Sequence, residues 1–222
     1  MYSKLIIWLT LYKILFNVVE PSKEARCILD PSENSTITGE VLFYQDSPTA
    51  PVTVKALVYG AKSVHGFHIH ELAPINGDCM STKGHYNPLN MTHGGPADEI
   101  RHNGDLGNLR VEGQKSVIEV KFTDRVISLY GNFTILGRGC VFHAFEDDLG
   151  RDGKDSKITG NAGPRLACGS VQLTESSSMV IFCFVFLFIA VFGLFFYIYY
   201  KSSDFKEMRN GNLTSQEEIK NT

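Results

Sequence analysis

The sequence predicts an all-β domain, an eight-stranded Greek-key sandwich or flattened barrel with two long functional loops, followed by one transmembrane helix. Short apolar or alternating runs recur between turn signals, and no amphipathic helix of useful length interrupts them. Eight short antiparallel strands are typical of sandwiches and barrels. The runs that predict strands are 25–30, 37–44, 52–59, 64–71, 105–111, 116–122, 139–145 and 167–173.

The start of the chain is apolar. Residues 5–19 follow Lys4 and resemble a secretory leader, so we expect a signal peptide over about residues 1–22. Lys13 interrupts the apolar run, which leaves the cleavage site undefined.

A second apolar segment lies near the other end, at residues 179–200, and contains no charged residue. As a helix it would span roughly 33 Å, enough to cross a hydrocarbon core of about 30 Å. Lys201 follows directly, as a stop-transfer charge would. The segment therefore predicts a single-pass membrane protein at the cell surface or in the secretory pathway, with residues 201–222 as a cytoplasmic tail.

A signal for a lipid anchor is the alternative interpretation, because Ser176, Ser177 and Ser178 are small residues just upstream. Such a signal ends in its hydrophobic stretch. The polar tail at 201–222 therefore favours a transmembrane helix. If the leader were retained, the two crossings would still place the intervening domain outside.

That intervening domain, residues 25–175, has the size of one ordinary domain. The formal net charge of the chain is −3, which gives no indication of a nucleic-acid partner. Sequons at Asn34, Asn90 and Asn132 are candidates for glycosylation on a lumenal route.

All seven histidines lie between residues 65 and 143, and this grouping predicts metal chemistry. The connections 72–104 and 146–165 are too long for hairpins. They carry histidines, a cysteine and several aspartates. Loops of this length in a compact domain are usually functional.

Strand periodicity sorts the histidines by face. Residues two apart on a strand share a face, so His68 and His70 lie opposite the apolar pair Phe67 and Ile69. By the same rule, His143 lies on the outer face of its strand. These three imidazoles would form a half-site beneath the long loops. The first loop supplies three further candidates, His85, His93 and His102, and the strand that follows it begins with a fourth, Asp105. His65 falls on the opposite face from His68, so we expect a structural role for it.

The ordered motifs resemble those of the copper/zinc superoxide dismutases over residues 26–173. The matching motifs are Gly66-Phe67-His68-Ile69-His70-Glu71, His93-Gly94-Gly95-Pro96, Gly104-Asp105-Leu106-Gly107-Asn108, Gly160-Asn161-Ala162-Gly163 and Arg165-Leu166-Ala167-Cys168-Gly169. Each motif alone is weak, but their order and spacing together are specific.

The resemblance implies one copper and one zinc ion per subunit. Copper would be bound by His68, His70, His85 and His143. Zinc would be bound by His85, His93, His102 and Asp105, with the His85 imidazolate bridging the two ions. Four imidazoles suit copper, and three imidazoles with a carboxylate suit tetrahedral zinc.

The resemblance also implies roles for residues around the metals. Asp147 would link a copper histidine to a zinc histidine. Arg165 and Thr159 would admit the small anion superoxide, and Cys79 would be disulfide-bonded to Cys168. Cys27 and Cys140 are expected to be buried core thiols rather than a second disulfide. A homodimer is expected through the apolar positions Leu72, Leu136, Gly137, Val171 and Leu173.

The function that follows from the resemblance is dismutation of superoxide to oxygen and hydrogen peroxide outside the cell. A membrane-tethered copper-binding or copper-delivery module without turnover is the alternative. Relatives of that kind typically lose a copper ligand or carry an added domain with paired cysteines, and this sequence shows neither. An adhesion role for the tail-bearing protein has little support, because the tail has no motif with a known function.

Overall fold

The computed structural model describes residues 20–112 and 116–174, together with 187, 190–195, 197–199 and 201. The predicted all-β fold of the domain is confirmed, and the strand ends differ from those expected. The strands are β1 (Lys23–Pro31), β2 (Thr38–Gln45), β3 (Val52–Tyr59), β4 (Val64–His70), β5 (Asp105–Arg110), β6 (Val117–Asp124), β7 (Gly139–His143), β8 (Arg165–Ser170) and β9 (Gln172–Leu173). The last predicted run is thus divided between β8 and the two-residue β9.

The strands form a nearly closed antiparallel barrel. Their spatial order is β5-β4-β7-β8-β1-β2-β3-β6, and β9 pairs with β1. β1 lies between β8 and β2 although it begins the domain, so pairing over long sequence separations closes the structure. β4 lies beside β7, which places two histidine-bearing strands next to each other.

The barrel interior is filled by the apolar face of each strand. In β3, Val52, Val54, Ala56 and Val58 are buried while the residues that alternate with them are partly or fully exposed, as a half-buried strand requires. Phe43, Phe67 and Phe142 are among the largest fully buried side chains. Each such ring stabilises the fold by roughly 1.5–3 kcal/mol relative to an exposed one.

Cys27 and Cys140 form a disulfide, so the expectation of free core thiols was wrong. Cys27 is on β1 and Cys140 on β7, and these strands flank β8 on its two sides. The bond passes over Gly169 of β8, where an added Cβ would lie 2.8 Å from the Cys27 sulfur. The Cα–Cα distance of 6.7 Å is within the range for a disulfide.

The two long loops each contain a short helical element. The first has a 3₁₀ turn at Cys79–Thr82, and the second has a helix, α1, at Gly153–Thr159. The sequence did not predict α1. Its C-cap is Gly160, whose φ of 68° lies in the left-handed region that glycine adopts most readily.

The predicted leader, apart from its last three residues, lies outside the described part of the chain, as does most of the predicted membrane segment 179–200. Among the residues that are described, no helix has the length and apolar character needed to cross a membrane.

Candidate metal centre

Three imidazoles project from the sheet onto one site. His68 and His70 belong to β4, His143 belongs to β7, and the two strands are paired. Ring centroids are 4.9 Å apart for His68 and His143 and 5.4 Å apart for His70 and His143. All three side chains are buried although they lie on the outer face, because the long loops cover them.

Backbone hydrogen bonds attach the loop that carries His85 to β4, the strand of His68 and His70. The amide of Tyr86 donates to Ile69 O at 2.8 Å, and the amide of Ile69 donates to Gly104 O at 2.9 Å. An added Cβ at Gly104 would collide with Ile69 O, so this close approach requires glycine. The loop therefore runs against the edge of β4 and places the His85 ring 4.0 Å from the His68 ring.

Asp105 organises the second half of the site. Its carboxylate lies 2.8 Å from His85 Nδ1, 3.0 Å from His93 Nδ1 and 3.1 Å from His102 Nδ1. Backbone amides of Gly94 and His102 also donate to it. Burial alone would raise the pKa of Asp105, but the three imidazoles lower it well below its usual range. The carboxylate is therefore ionised and can serve as a cation ligand.

Seven residues thus form two groups of four potential metal ligands that share His85. Within each group the ligand atoms lie within 4.8 Å of one another. One group is His68, His70, His85 and His143, and the other is His85, His93, His102 and Asp105. These are the seven residues that the resemblance implied as ligands.

Hydrogen bonds determine which nitrogen of each imidazole in the first group is free. His68 Nε2 lies 2.8 Å from Asp147 Oδ2, which leaves His68 Nδ1 buried without a partner among the described residues. His70 Nδ1 donates to Lys83 O at 2.8 Å, and His143 Nδ1 donates to Gly163 O at 2.9 Å. The Nε2 atoms of His70 and His143 consequently face each other at 3.3 Å. Buried polar atoms without a partner are costly, and a bound metal would satisfy these nitrogens.

Asp147 connects the two groups. Its second oxygen lies 2.9 Å from His93 Nε2, so one carboxylate accepts from an imidazole of each group. His68, His93 and Asp147 also lie close enough together to form a third candidate cluster. Because each histidine uses its Nε2 proton to bind Asp147, we interpret this cluster as a hydrogen-bonded link and not as a third ion site.

The electrostatics keep the first group neutral. Burial, together with neighbouring histidines, lowers the pKa of His68 and His70, and burial also lowers that of His85. Burial lowers the pKa of His143 to about 4. Neutral imidazole is the form that binds metals.

His93 differs from the first group. Burial would lower its pKa, but hydrogen bonds to Asp105 and Asp147 outweigh burial and raise the pKa to about 9.

His65 takes no part in either group. Its Nδ1 donates to the backbone oxygen of His143 at 2.9 Å, and its ring lies 4.7 Å from that of Phe142. The expected structural role agrees with this placement, since the contact supports the end of the strand that carries His143.

An open cavity of about 480 Å³ leads from solvent to the first group. Its walls include His70, His85, His143, Met80, Thr159 and Arg165. The Arg165 guanidinium donates to Cys79 O at 2.6 Å and to Met80 O and Thr82 Oγ1 at 3.1 Å each. Burial lowers the pKa of Arg165, but a guanidinium is not deprotonated in proteins, so the group remains a cation.

The disulfide between Cys79 and Cys168 attaches the first long loop to β8. Val141 packs against these two cysteines on the outer face of β7. The same loop carries the carbonyls that hold Arg165, so the disulfide fixes the position of the cation in the cavity.

Sequence reasoning missed the backbone groups of the site. The carbonyls of Lys83 and Gly163 select the free nitrogens of His70 and His143, but a backbone carbonyl has no signature in the residue type. Arg138 was also missed. Its guanidinium lies 3.5 Å from the centre of the Tyr86 ring and supports the residue that follows His85.

Comparison with known proteins gives one consistent result. Residues 37–171, more than half of the chain, match the family model described as copper/zinc superoxide dismutase. An extracellular superoxide dismutase [Cu-Zn] of Drosophila melanogaster is 47% identical over 144 residues, which are 64% of this chain and 79% of that protein. Superoxide dismutases [Cu-Zn] 4 and 5 of Dictyostelium discoideum are 42% and 44% identical, over 66% and 63% of this chain and 95% and 92% of their own lengths.

Proposed function

The chain belongs to the copper/zinc superoxide dismutase family, and on that premise we propose that it dismutes superoxide to oxygen and hydrogen peroxide in an extracellular or lumenal compartment. One observation carries the proposal: two groups of four ligand residues share a single imidazole, His85. Enzymes of this family use copper and zinc, and the two clusters have the donors that each ion prefers.

Copper is assigned to the all-imidazole group. His68 would bind it through Nδ1, because Asp147 occupies its Nε2. His70 and His143 would bind through Nε2, because backbone carbonyls occupy their Nδ1 atoms. His85 would complete the set through Nε2, because its Nδ1 lies at Asp105. Four neutral nitrogen donors suit both oxidation states of copper.

Zinc is assigned to the group around Asp105. His85, His93 and His102 all present Nδ1 to that carboxylate, so three nitrogens and one oxygen converge. This donor set is suited to a closed tetrahedral zinc site with a structural role. The proposed role of zinc is to orient His85 and to stiffen the first long loop.

The copper ion would supply the redox chemistry, accepting an electron from one superoxide and giving it to a second. Arg165 would attract and hydrogen-bond the anion in the cavity, where its guanidinium is fixed by four acceptors of the disulfide-bonded loop, the carbonyls of Cys79, Met80 and Lys83 and the hydroxyl of Thr82. Thr159, which also lines the cavity, would limit the size of the anion that enters. When copper does not occupy it, His85 Nε2 would hold a proton for the peroxide product, while its Nδ1 remains on the Asp105 side.

The test of the proposal is superoxide consumption per bound copper, measured on the full chain loaded with copper and zinc. We expect rapid consumption, and a zinc-only sample should show none. Two bound metals with no turnover would contradict the proposal. That outcome would instead favour a membrane-tethered module that binds or delivers copper.

The compartment follows from two supporting observations. The described domain contains two disulfides, which persist in oxidising compartments, and one relative is named as extracellular. We propose a leader over residues 1–22, a domain over 25–175 outside the cell, a membrane helix over 179–200 and a cytoplasmic tail over 201–222. In intact cells, added protease should digest the domain and spare an epitope on the tail. Protection of the domain would contradict this orientation.

Glycosylation is proposed for the three sequons of the domain. Asn34, Asn90 and Asn132 are all exposed, and the first two have φ values of 67° and 53°, typical of loop asparagines. A glycosidase that removes N-linked sugars should reduce the apparent mass of the protein expressed through the secretory pathway. An unchanged mass would contradict the proposal.

A homodimer is proposed through apolar positions near the first long loop and the last strand. Leu72 is 38% exposed and Leu173 is 52% exposed, whereas Val171 is buried and would only support the surface. Light scattering at micromolar concentration should give twice the monomer mass. L173K should reduce that mass, and a monomer mass for the unaltered chain would contradict the proposal.

A further inference from the structure

Met80 occupies the wall of the cavity that leads to the copper-side imidazoles. It is the second residue of the 3₁₀ turn, and its amide donates to Asp78 Oδ1 at 2.8 Å. Its carbonyl accepts from Arg165 Nη1 at 3.1 Å. The backbone is thus fixed at both polar groups, while the side chain is 69% exposed and lines the cavity.

The product of the proposed reaction leaves through the cavity that this side chain lines. His70 and His143 are almost fully buried, and they meet solvent at the cavity that Met80 helps to line. We propose that the Met80 thioether is a modification site, oxidised to methionine sulfoxide by hydrogen peroxide leaving the cavity. This inference rests on the proposed function, which supplies the peroxide.

The oxidation step is balanced without a further reactant. A sulfur lone pair attacks one peroxide oxygen, a sulfur–oxygen bond forms, and the oxygen–oxygen bond breaks. Sulfur loses two electrons, and the departing hydroxide takes up the proton of the transferred oxygen to leave as water. The result replaces a flexible apolar side chain beside Arg165 with a polar hydrogen-bond acceptor.

Met91 provides an internal reference within the same chain. It is also exposed, at 42%, and it lies on the same long loop but does not line the cavity. Exposure alone would favour Met80 over Met91 by a ratio of about 1.6, from 69% against 42%. A larger preference therefore reports that peroxide reaches Met80 first, because proximity raises its effective concentration.

The experiment uses the full chain loaded with copper and zinc. Superoxide is generated from heavy-isotope dioxygen, so that peroxide and any sulfoxide formed from it carry the label, while sulfoxide present beforehand does not. Excess catalase removes peroxide from the bulk solution. Peptide mass spectrometry then compares labelled sulfoxide at Met80 and Met91, and superoxide consumption is recorded in the same sample.

We expect labelled sulfoxide at Met80 to exceed that at Met91 about fivefold or more, because peroxide acts at the cavity before it reaches catalase. In the M91L variant, whose substitution is close in volume, labelling of Met80 should persist. This inference alone would be overturned if superoxide consumption were normal but Met80 carried no label, or if the ratio of labelled Met80 to labelled Met91 were close to the value of about 1.6 that exposure alone gives. Absence of superoxide consumption would overturn the proposed function and, with it, the inference.

Discussion

His93 Nε2 lies 2.9 Å from Asp147 Oδ1, and this contact joins the zinc-side group to a carboxylate that also holds His68. The two residues lie on different long loops, which are 54 positions apart at this contact. The amide of His93 also donates to Lys157 O at 2.8 Å. The geometry of both proposed metal sites therefore depends on the contact between these loops.

We expect D147N to weaken zinc binding by about 10- to 100-fold, because an amide has one acceptor oxygen and cannot accept from both imidazoles. Competition with a chromophoric chelator measures this affinity directly. The control is D148N, since Asp148 accepts instead from Ser156 and Asn161. Equal zinc affinity in the two variants would contradict the role given to Asp147.

Substitution of Gly160 should also weaken zinc binding, for a steric reason. A Cβ added there would collide with Asp147 Oδ1 and His93 Nε2, so G160A should separate this pair and weaken zinc binding by about 10-fold or more. Gly153 is the matched control, because it also has positive φ but faces open space. G153A should lower stability by only about 1–2 kcal/mol and leave zinc affinity unchanged. Similar zinc losses in both variants would assign the effect to backbone strain.

Arg165 is the one cationic side chain that lines the cavity within the described part of the chain. We expect R165A to lower kcat/KM for superoxide by about 10-fold or more and to flatten its dependence on salt. Arg151 is the control cation, because it is on the long loop that precedes β8 and pairs with Asp98 away from the cavity. In R151A, kcat/KM for superoxide should depend on salt as it does in the unaltered protein. Copper content is measured in each variant, and a loss of copper from R165A would indicate a structural role.

Local patterns in the sequence predicted the parts of the site that depend on strand periodicity. The alternation of Phe67, His68, Ile69 and His70 was sufficient to place two imidazoles on the outer face. The disulfide of Cys27 was not predictable, because it requires that β1 and β7 flank β8, and that arrangement is set by pairing across more than 100 residues. The free nitrogens were likewise unpredictable, since they depend on backbone carbonyls.

The two disulfides should differ in what they support. They close segments of 113 and 89 residues, so the chain-entropy estimate is about 4–5 kcal/mol for each. Urea unfolding should therefore show similar losses for C27A/C140A and C79A/C168A. Only the second pair should also lower superoxide consumption, because Cys79 O accepts from Arg165. An equal loss of activity in both double variants, at full copper content, would contradict this distinction.

The metal-free protein should be most stable near pH 6.5 and should lose stability faster on the acid side. His68, His70, His85 and His143 have folded pKa values below the ordinary 6.5, with that of His143 at about 4. Below pH 6.5 the unfolded chain therefore binds more protons than the folded one, and acid favours unfolding. His93 acts in the opposite sense. Because its folded pKa is about 9, its stabilising contribution to the free energy of unfolding is fully present below pH 6.5 and is lost as pH rises through 9.

Four imidazoles have a lowered pKa and only one has a raised pKa, so stability should fall more steeply on the acid side. The slope there is up to about 1.4 kcal/mol per pH unit for each proton taken up on unfolding. Thermal unfolding of the metal-free protein between pH 4 and 9 measures both limbs. The copper- and zinc-loaded protein is the control. There the metals hold the ligands unprotonated, so the curve should stay flat until protons compete successfully and metal is released. A metal-free protein whose Tm rises steadily from pH 7 to pH 4 would show that these imidazoles are not buried as neutral groups.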